Sequence, residues 1–321
     1  MATPLYTGFS VPTEKLRGPR IAILSRAMFS YHSKVVMGFL RKVEEQTGLN
    51  WRPIMFFCKE PRVDVMIEQM KEIREDKYDL VLAIGALYSA IAAEHVREGQ
   101  FNIPLVFCGV TDPVQMGILS SLQPQALVTG IVREQIPSTY LADFLPMMRP
   151  TMKRVLIPHY PNAEFGLHDE RLKRLKERFS QQGIEAILLP TITMDDVLPG
   201  VLQYIGGIDT IIVPEGTFVT DLIPALAKLC RQYKVMLVAH TVEYGNANPA
   251  ITFTQKVELI GQELFHMAHK ILVDGKKPLE LPIVTLPNDR KIVVDINACH
   301  EQGVDVDAIA LFCANDNIII R

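Results

Sequence analysis

The sequence predicts an α/β protein built from two lobes, each with a doubly wound parallel β-sheet. Three observations carry this prediction. Short apolar segments alternate with amphipathic ones, the alternation starts again near residue 155, and 321 residues exceed one ordinary core. Pro104–Pro113 shows the pattern most clearly, because the apolar run from Leu105 to Cys108 ends in small and polar residues. Such a run is typical of a parallel strand ending at the sheet edge where ligands bind.

Strands and helices are expected to alternate in the first half of the chain. After an N-terminal arm at residues 1–19, apolar runs predict strands, and segments of helical period predict the helices between them. The predicted strands cover 20–25, 51–57, 80–84 and 105–108, and the predicted helices cover 33–47, 63–76 and 87–98. This order is typical of a parallel sheet with right-handed crossovers.

The second half repeats the pattern. Predicted strands cover 155–158, 185–189, 210–213, 235–239 and 292–295, and predicted helices cover 136–145, 169–182, 194–205, 221–233 and 257–273, with a turn at 298–302. Asp221 is the expected N-cap of its helix, because aspartate accepts hydrogen bonds from the first turn. Two units of similar size favour two lobes facing each other across a cleft, over the alternative of one large sheet.

Composition places the chain among ordinary globular proteins. Apolar residues make up 48%, charged residues make up 21%, and the net charge is −3 without any long Lys/Arg run. A nucleic-acid surface and a basic membrane-binding patch are therefore not expected. No CxxC pair occurs, so we expect structural roles for all five cysteines: Cys58, Cys108, Cys230, Cys299 and Cys313. No apolar run suits a membrane span, and the N-terminus lacks the apolar region of a signal peptide.

The loops that follow the predicted strands are expected to line the ligand cleft, since carboxyl ends of parallel strands share one sheet edge. The predicted ligand-binding residues are Ser25, Phe29, Tyr31, Ala86, Tyr88, Ser89, Thr111, Asp112, Glu134, Tyr160, Glu215, Gly216, Phe218 and Tyr244. Turns at Gly85 and Gly216 start helices whose N–H groups suit an anion. Aromatic walls suit an apolar, planar or cationic ligand, although packing is the alternative role for any single ring.

Little in the sequence favours catalysis. No GxGxxG, P-loop, GxSxG or HExxH motif occurs, and the eight histidines are dispersed. His266 and His269 share a helix face without a third ligand, so we expect no metal, no cofactor and no catalytic residue. For Asp112 a role in organising a turn is favoured over that of a base. The hypothesis that the protein is an enzyme requires Asp112, Glu215 and His240 to meet in the cleft.

Several blocks, taken in order, resemble one transport family. They are VFCGVTDPVQMGI (Val106–Ile118), Thr129-Gly130, FLPMMRPTMKRVLIP (Phe144–Pro158), IDTIIVPE (Ile208–Glu215) and GKKPLELPIV (Gly275–Val284). They are similar to the blocks of the ABC-transporter substrate-binding protein family that includes tryptophan- and tyrosine-binding members. The resemblance covers about residues 20–307.

The resemblance implies the type I periplasmic binding protein fold, in which two Rossmann-like lobes close by a hinge motion on a small molecule and perform no chemistry. It implies a first lobe of residues 20–132 plus 250–276 and a second lobe of residues 133–249 plus 277–321. It also implies a small-molecule ligand and a membrane permease as partners, without nucleic acid, and a monomer. We expect a periplasmic or cell-surface location if a leader was removed. The alternative is a cytoplasmic ligand-sensing or regulatory protein.

Two positions depart from the family's amino-acid clamp. The family's loop is close to GTPAAQA, with its Thr on the ligand carboxylate, and the counterpart GALYSAI has Ala86 there. The family's VPxD segment places Asp against the ligand amino group, whereas VPEGTFV has Gly216 there and Glu215 one residue earlier. Ser89 is the alternative source of a hydroxyl. The resemblance thus implies fold and role but leaves the ligand open, with an aromatic amino acid as one option.

Overall fold

The computed structural model describes residues 18–26, 30–46, 48–58, 62–75, 78–133, 138–161, 167–214, 218–241, 249–254, 256–286, 291–304 and 318–320. The chain divides into two compact units. Lobe 1 contains residues 1–135 and 257–288, and lobe 2 contains residues 136–256 and 289–321. The chain therefore passes three times from one lobe to the other.

Strands and helices alternate through the described ranges. The strands are β1 (Arg20–Arg26), β2 (Arg52–Cys58), β3 (Leu80–Ile84), β4 (Leu105–Val110), β5 (Val128–Val132), β6 (Arg154–His159), β7 (Glu185–Pro190), β8 (Thr210–Ile212), β9 (Met236–Thr241), β10 (Ile251–Thr254), β11 (Val284–Thr285), β12 (Lys291–Val294) and β13 (Ile318–Ile320). The helices are α1 (Ser30–Glu45), α2 (Val63–Glu75), α3 (Ala86–Arg97), α4 (Ser138–Met148), α5 (Leu167–Gln181), α6 (Met194–Tyr204), α7 (Ile223–Tyr233), α8 (Val257–Leu272) and α9 (Ile296–Glu301).

The sheet of lobe 1 is parallel throughout its described strands, in the order β11-β5-β4-β3-β1-β2. Its central strands β3 and β4 are buried along their whole length, as their continuous apolar sequences predict. Because β1 lies between β2 and β3, the strand order reverses next to β1. Open α/β sheets bind ligands at such a switch point, outside the carboxyl ends of the strands.

Two glycines allow α1 and α8 to pack closely in lobe 1. A Cβ at Gly38 would lie 2.3 Å from the carbonyl oxygen of Glu258, and one at Gly261 would lie 2.0 Å from that of Val35. Any larger side chain at either position would force the helix backbones apart. The aromatic rings of Phe39, Trp51 and Phe265 pack beside this contact.

Lobe 2 repeats the strand order of lobe 1. Within the described residues its sheet has the order β13-β12-β10-β9-β8-β6-β7, and β10 and β12 form the antiparallel pair. The five strands β7-β6-β8-β9-β10 match β2-β1-β3-β4-β5, so a second switch point lies between β6 and β8. Phe144 and Phe253 meet edge-to-face in the core, at a centroid distance of 6.0 Å.

The two-lobed parallel α/β architecture is confirmed, and the predicted lobe boundaries need correction. We expected residues 250–256 in lobe 1, but β10 pairs with β9 and β12 of lobe 2. We expected residues 277–288 in lobe 2, but β11 pairs with β5 of lobe 1. The hydroxyl of Thr129 also donates a hydrogen bond to the Leu281 carbonyl over 2.9 Å.

One capping prediction is wrong. Asp221 lies inside a 3-10 turn, Phe218–Leu222, and the N-cap of α7 is Leu222. Pro224 in the first turn of α7 favours this later start, since proline suits the beginning of a helix.

Candidate functional site

The carboxyl ends of β1, β3, β4 and β5 form a polar and aromatic edge in lobe 1. Ser25 and Arg26 end β1, Gly85 follows β3, Gly109 lies near the end of β4, and Arg133 follows β5. The backbone ties these ends together. Gly85 N–H donates to the Cys108 carbonyl over 2.8 Å, and Arg133 N–H donates to the Val110 carbonyl over 2.7 Å.

Two consecutive residues in the first turn of α1 pack against this edge. A Cβ at Gly85 would lie 2.7 Å from Cε1 of His32, and a Cβ at Gly109 would lie 3.2 Å from Cε1 of Tyr31. Both glycines have positive φ, 91° at Gly85 and 72° at Gly109. At Gly109 the pairing of β4 with β5 also shifts register. Glycine at both strand ends therefore makes room for the two rings.

Hydrogen bonds from β1 hold the imidazole of His32. The backbone N–H of Arg26 donates to His32 Nδ1 over 3.3 Å, and Ser25 Oγ lies 3.3 Å from the same nitrogen. Burial, reinforced by the positive charges of Arg26 and Arg133, lowers the pKa of His32 from 6.5 to about 3. The imidazole is therefore neutral at physiological pH.

Arg133 covers the face of Tyr31. Its Cζ lies 4.4 Å from the centroid of the Tyr31 ring, and both residues are buried. Such a desolvated cation–π contact contributes about 2 kcal/mol. The edge of the same ring meets His32, with centroids 5.8 Å apart. Tyr31, His32 and Arg133 thus form one packed aromatic-cationic cluster, called the β1/β3 edge cluster below.

Tyr88 and Ser89 face the interior of lobe 1. Tyr88 is 1% exposed, and its hydroxyl donates to Gln69 Oε1 over 2.6 Å, while Gln69 Nε2 donates to the Phe57 carbonyl. Burial raises the pKa of Tyr88. Ser89 is fully buried, and its hydroxyl donates to the Gly85 carbonyl over 2.7 Å. Both side chains therefore stabilise the packing and first turn of α3.

Ala86 and Asp112 lie in the segments that follow β3 and β4. Ala86 is the first residue of α3, after the N-cap Gly85. Asp112 Oδ1 accepts a hydrogen bond from the Gln115 N–H over 2.9 Å, which is the turn role favoured by its sequence position. Thr111, partly exposed, lies between β4 and that turn.

Lobe 2 presents histidines at the equivalent strand ends. The carbonyl of His159, at the end of β6, accepts hydrogen bonds from the backbone and hydroxyl of Thr191 over 2.8 and 2.9 Å. Partly exposed Tyr160 follows it. His240 in β9 is buried, donates from Nδ1 to the Val213 carbonyl over 2.8 Å, and stacks on Phe253. This gives His240 a packing role in the sheet.

The remaining predicted residues fall outside what the structure describes. These are Phe29, Glu134, Glu215, Gly216, Tyr244 and Cys313, together with the side chain of Phe218. Of the predicted ligand-binding residues, Ser25 and Tyr31 contact the β1/β3 edge cluster or belong to it, and Ala86 starts the adjacent helix. His32 and Arg133 complete the cluster and were not predicted as ligand-binding residues.

The described cysteines have the environment expected of core residues. Cys58, Cys108, Cys230 and Cys299 are buried as free thiols. Burial raises the pKa of the Cys108 thiol, and it raises those of Cys230 and Cys299 to about 12. Over the described part of the chain, no group of His, Cys, Asp and Glu is arranged to hold a metal ion. Over the same part, no helix is long and apolar enough to cross a membrane.

Known proteins resemble this chain over most of its length. A curated tyrosine-binding protein of Clostridioides difficile (strain R20291) is 21% identical over 289 residues, which cover 88% of this chain and 81% of that protein. The crystal structure of an ABC domain in complex with L-Trp from Streptococcus pneumonia superposes with a TM-score of 0.77 at 14% identity, covering 94% of this chain and 100% of the other.

Two further structures agree on the fold. A conserved domain protein from Vibrio cholerae O1 biovar eltor gives a TM-score of 0.76 at 17% identity, covering 95% of this chain and 99% of that one. The ligand-free, open structure of a substrate binding protein with adhesive properties from Clostridium difficile gives a TM-score of 0.63 at 22% identity. The match covers 94% of this chain and 99% of that one. These likenesses confirm the type I periplasmic binding protein fold.

The family model decides the classification. The model for ABC transporter substrate binding proteins matches residues 59–318, which include most of both lobes. This match agrees with the sequence blocks around Val106–Ile118 and Phe144–Pro158. The chain belongs to the family of ABC transporter substrate binding proteins.

Proposed function

We propose that this protein is the solute-binding component of an ABC-type importer and that it binds a small organic molecule with an aromatic or apolar portion. Family membership supports the binding role. The observation that supports an aromatic or apolar portion is the β1/β3 edge cluster. There, a tyrosine ring, a guanidinium and an imidazole pack together at the switch point of lobe 1.

The proposed ligand contacts come from the carboxyl ends of the strands. In lobe 1 they are Ser25, Tyr31, Thr111 and the first turn of α3 at Ala86, whose N–H groups suit a carboxylate. In lobe 2 we propose Tyr160. We place Tyr88 and Ser89 behind these contacts as supports, because both side chains point from α3 into the interior of lobe 1, where their hydroxyls donate to Gln69 Oε1 and to the Gly85 carbonyl.

The ligand class is proposed as amino-acid-like or aromatic. Two relatives support testing aromatic amino acids first, one named a tyrosine-binding protein and one solved in complex with L-Trp. Ala86 takes the place of a threonine in the family's carboxylate contact, so this chain needs a different donor there. The family resemblance also supports a hinge motion on ligand uptake, driven by tighter binding to the closed form.

A ligand screen tests the proposal. Purified protein is heated in the presence of amino acids, aromatic amines and nucleosides, since a ligand that binds the native state raises Tm. We expect at least one aromatic compound to raise Tm in a concentration-dependent way and to bind with a stoichiometry near one. Absence of any shift across the panel contradicts the proposal. Heat-denatured protein serves as the control for nonspecific signals.

We further propose a membrane permease as partner and an extracytoplasmic location, in keeping with the family. Fractionation of cells that express the native gene tests both. Recovery with the periplasmic or surface fraction, and co-purification with a permease in the presence of ligand, is the expected result. Recovery in the cytosol alone contradicts this part of the proposal and favours a ligand-sensing regulator.

A further inference from the structure

We propose that the outer edge of β7 binds an extended, acidic segment of a partner protein, which adds a strand to the sheet of lobe 2. This surface runs along the side of β7 rather than across the carboxyl ends of the strands, so the proposal goes beyond the solute-binding role. Three features of the described residues support it: the outward backbone groups of β7, the groove beside them and the charge of Lys176.

β7 presents hydrogen-bonding groups on its outer side. It is the last strand of the lobe 2 sheet, and within the described residues it pairs with β6 alone. The N–H groups of Glu185 and Thr191 donate to carbonyls on the β6 side, over 2.8 Å each. Because the backbone groups of successive residues point to opposite sides of a strand, those of Ala186 and Leu188 point outward. An edge with such groups is a template for a further strand.

A groove of about 530 Å³ runs beside these groups. Lys176 and Ser180 of α5 line one side of it, and residues 183–188 line the other. Ala186 is buried in the core of lobe 2, and Leu188 packs against that core. A strand that pairs with β7 therefore has room for its alternate side chains between the sheet edge and α5.

The charge beside the groove favours an acidic segment. Glu185 also lines the groove, but Nε of Arg154 lies 2.9 Å from its carboxylate. Lys176 is exposed and forms no ion pair with any residue that the structure describes. The uncompensated charge beside the outward groups is therefore positive, and electrostatic complementarity favours a partner with an aspartate or glutamate at this point.

The same lysine argues against a second copy of this chain as the partner. Two β7 strands paired about a two-fold axis present the same surface to each other, so both Lys176 side chains would lie in one interface. Their like charges repel, whereas an acidic segment of another protein is attracted by the same charge. Pro190 has no N–H and ends the run of outward donors, which suits a short segment better than pairing along the whole strand.

Selection from a random peptide library tests the proposal. Phage that display dodecapeptides are selected on the purified protein, and the enriched peptides are synthesised. We expect sequences with alternating β-branched residues and at least one aspartate or glutamate. Failure of the library to yield any peptide that binds in solution overturns the proposal and leaves the solute-binding role unaffected.

Two charge reversals locate the binding site. Lys176→Glu reverses the charge beside the groove, and Lys228→Glu makes the same change at an exposed position on α7. Fluorescence anisotropy with a labelled peptide gives the affinities, and Tm shows whether both variants are folded. We expect affinity to fall by about tenfold or more in Lys176→Glu, because like charges then meet, and to stay within about threefold of wild type in Lys228→Glu. Equal affinities of the two variants overturn the proposal.

Amide hydrogen exchange, followed by NMR, tests the strand pairing itself. Saturation with peptide is expected to slow exchange at Ala186 and Leu188 by about tenfold or more, because a paired N–H is protected. The N–H of Met55, on the outer side of the edge strand β2 in lobe 1, is the control and is expected to exchange at an unchanged rate. Unchanged exchange at Ala186 and Leu188, or displacement of the peptide by a compound that binds as the solute, overturns the proposal.

Discussion

The imidazole of His32 fills the space that a side chain at Gly85 would need, although the sequence separates the two residues by a whole β-α-β unit. A Cβ at Gly85 would lie 2.7 Å from Cε1 of His32 and 3.1 Å from Nε2. Gly85 also has a φ of 91°, a backbone conformation that residues other than glycine rarely adopt. This contact joins the first turn of α1 to the end of β3 and the start of α3. It therefore positions the edge on which the proposed ligand site depends.

Substitution of Gly85 by alanine tests this contact. We expect Gly85→Ala to lower the free energy of unfolding by more than Gly99→Ala, which has φ of 70° but no atom within 4 Å of a new Cβ. The control carries only the backbone cost, about 1–3 kcal/mol. Urea unfolding of both variants gives the comparison. Equal losses of unfolding free energy in the two variants would show that the His32 ring moves aside at no cost, which would contradict this prediction.

The pH dependence of stability tests the charge state of His32. Burial and the charges of Arg26 and Arg133 lower its pKa in the folded protein from 6.5 to about 3. Between pH 6.5 and about pH 3 the imidazole is protonated in the unfolded chain but not in the native protein. The contribution of His32 to the free energy of unfolding is therefore complete above pH 6.5 and is lost as the pH falls through this range. Its slope is at most about 1.4 kcal/mol per pH unit.

The comparison uses His32→Asn, which has no titrating group. Urea unfolding at pH 7 and pH 4.5 is expected to show a stability difference between wild type and variant that shrinks at the lower pH. Effects of the carboxylates cancel in this double difference. A difference that stays constant would contradict the lowered pKa.

Tyr88→Phe separates packing from ligand contact. Loss of the hydroxyl leaves Gln69 Oε1 without its 2.6 Å donor in a buried position, at a cost of about 1–3 kcal/mol in unfolding free energy. Ligand affinity is expected to be unchanged within error, because the side chain is 1% exposed. Tyr233→Phe, at a half-exposed position, is the control and is expected to change neither quantity. A marked loss of affinity in Tyr88→Phe would return Tyr88 to the ligand contacts.

Gly261→Ala tests the close contact of α1 and α8. Its Cβ would lie 2.0 Å from the Val35 carbonyl oxygen, a backbone atom that moves only with its helix. We expect a loss of about 1–3 kcal/mol or more in unfolding free energy. Gly206→Ala, with open space around its Cβ, is the control and is expected to cause a much smaller change. Equal stability of the two variants would contradict the close packing.

Thiol reactivity tests the burial of the core cysteines. Only thiolates react rapidly, and burial raises the pKa of Cys108 and, to about 12, those of Cys230 and Cys299. We expect these three residues to resist iodoacetamide at pH 8 in the native protein and to react fully in denaturant. Peptide mass spectrometry follows each residue separately. Rapid native alkylation of any of the three would contradict its placement in the core.

The sequence predicted the alternating elements well, because strands buried on both faces read as continuous apolar runs. It missed β5, whose VTGIV sequence is interrupted by Gly130. That glycine is required by close approach, since a Cβ there would lie 2.4 Å from the Phe107 carbonyl oxygen. Short strands such as β11 were missed because two residues carry no periodic signal.

The site was harder to predict than the fold. Strand-end position predicted that Ser25 and Tyr31 lie at the edge where the carboxyl ends of the parallel strands meet, and the structure places both residues there. Their contact with a ligand stays a prediction. Strand-end position did not reveal that Tyr88 and Ser89 point inward on α3, since residue spacing alone does not fix which helix face is buried. Arg133 was not among the predicted ligand-binding residues because the strand before it was missed. His32 was not among them because its contacts with Arg26 N–H, Ser25 Oγ and Gly85 arise only in the fold.

Calorimetric titration of the wild-type protein with L-tryptophan, L-tyrosine and any compound that raises Tm tests the solute-binding role most directly. We predict saturable binding of at least one of these compounds, at a stoichiometry near one per chain and with a Kd in the micromolar range or tighter. Absence of saturable heat for every compound, with protein that unfolds cooperatively in the same buffer, would contradict the proposed role.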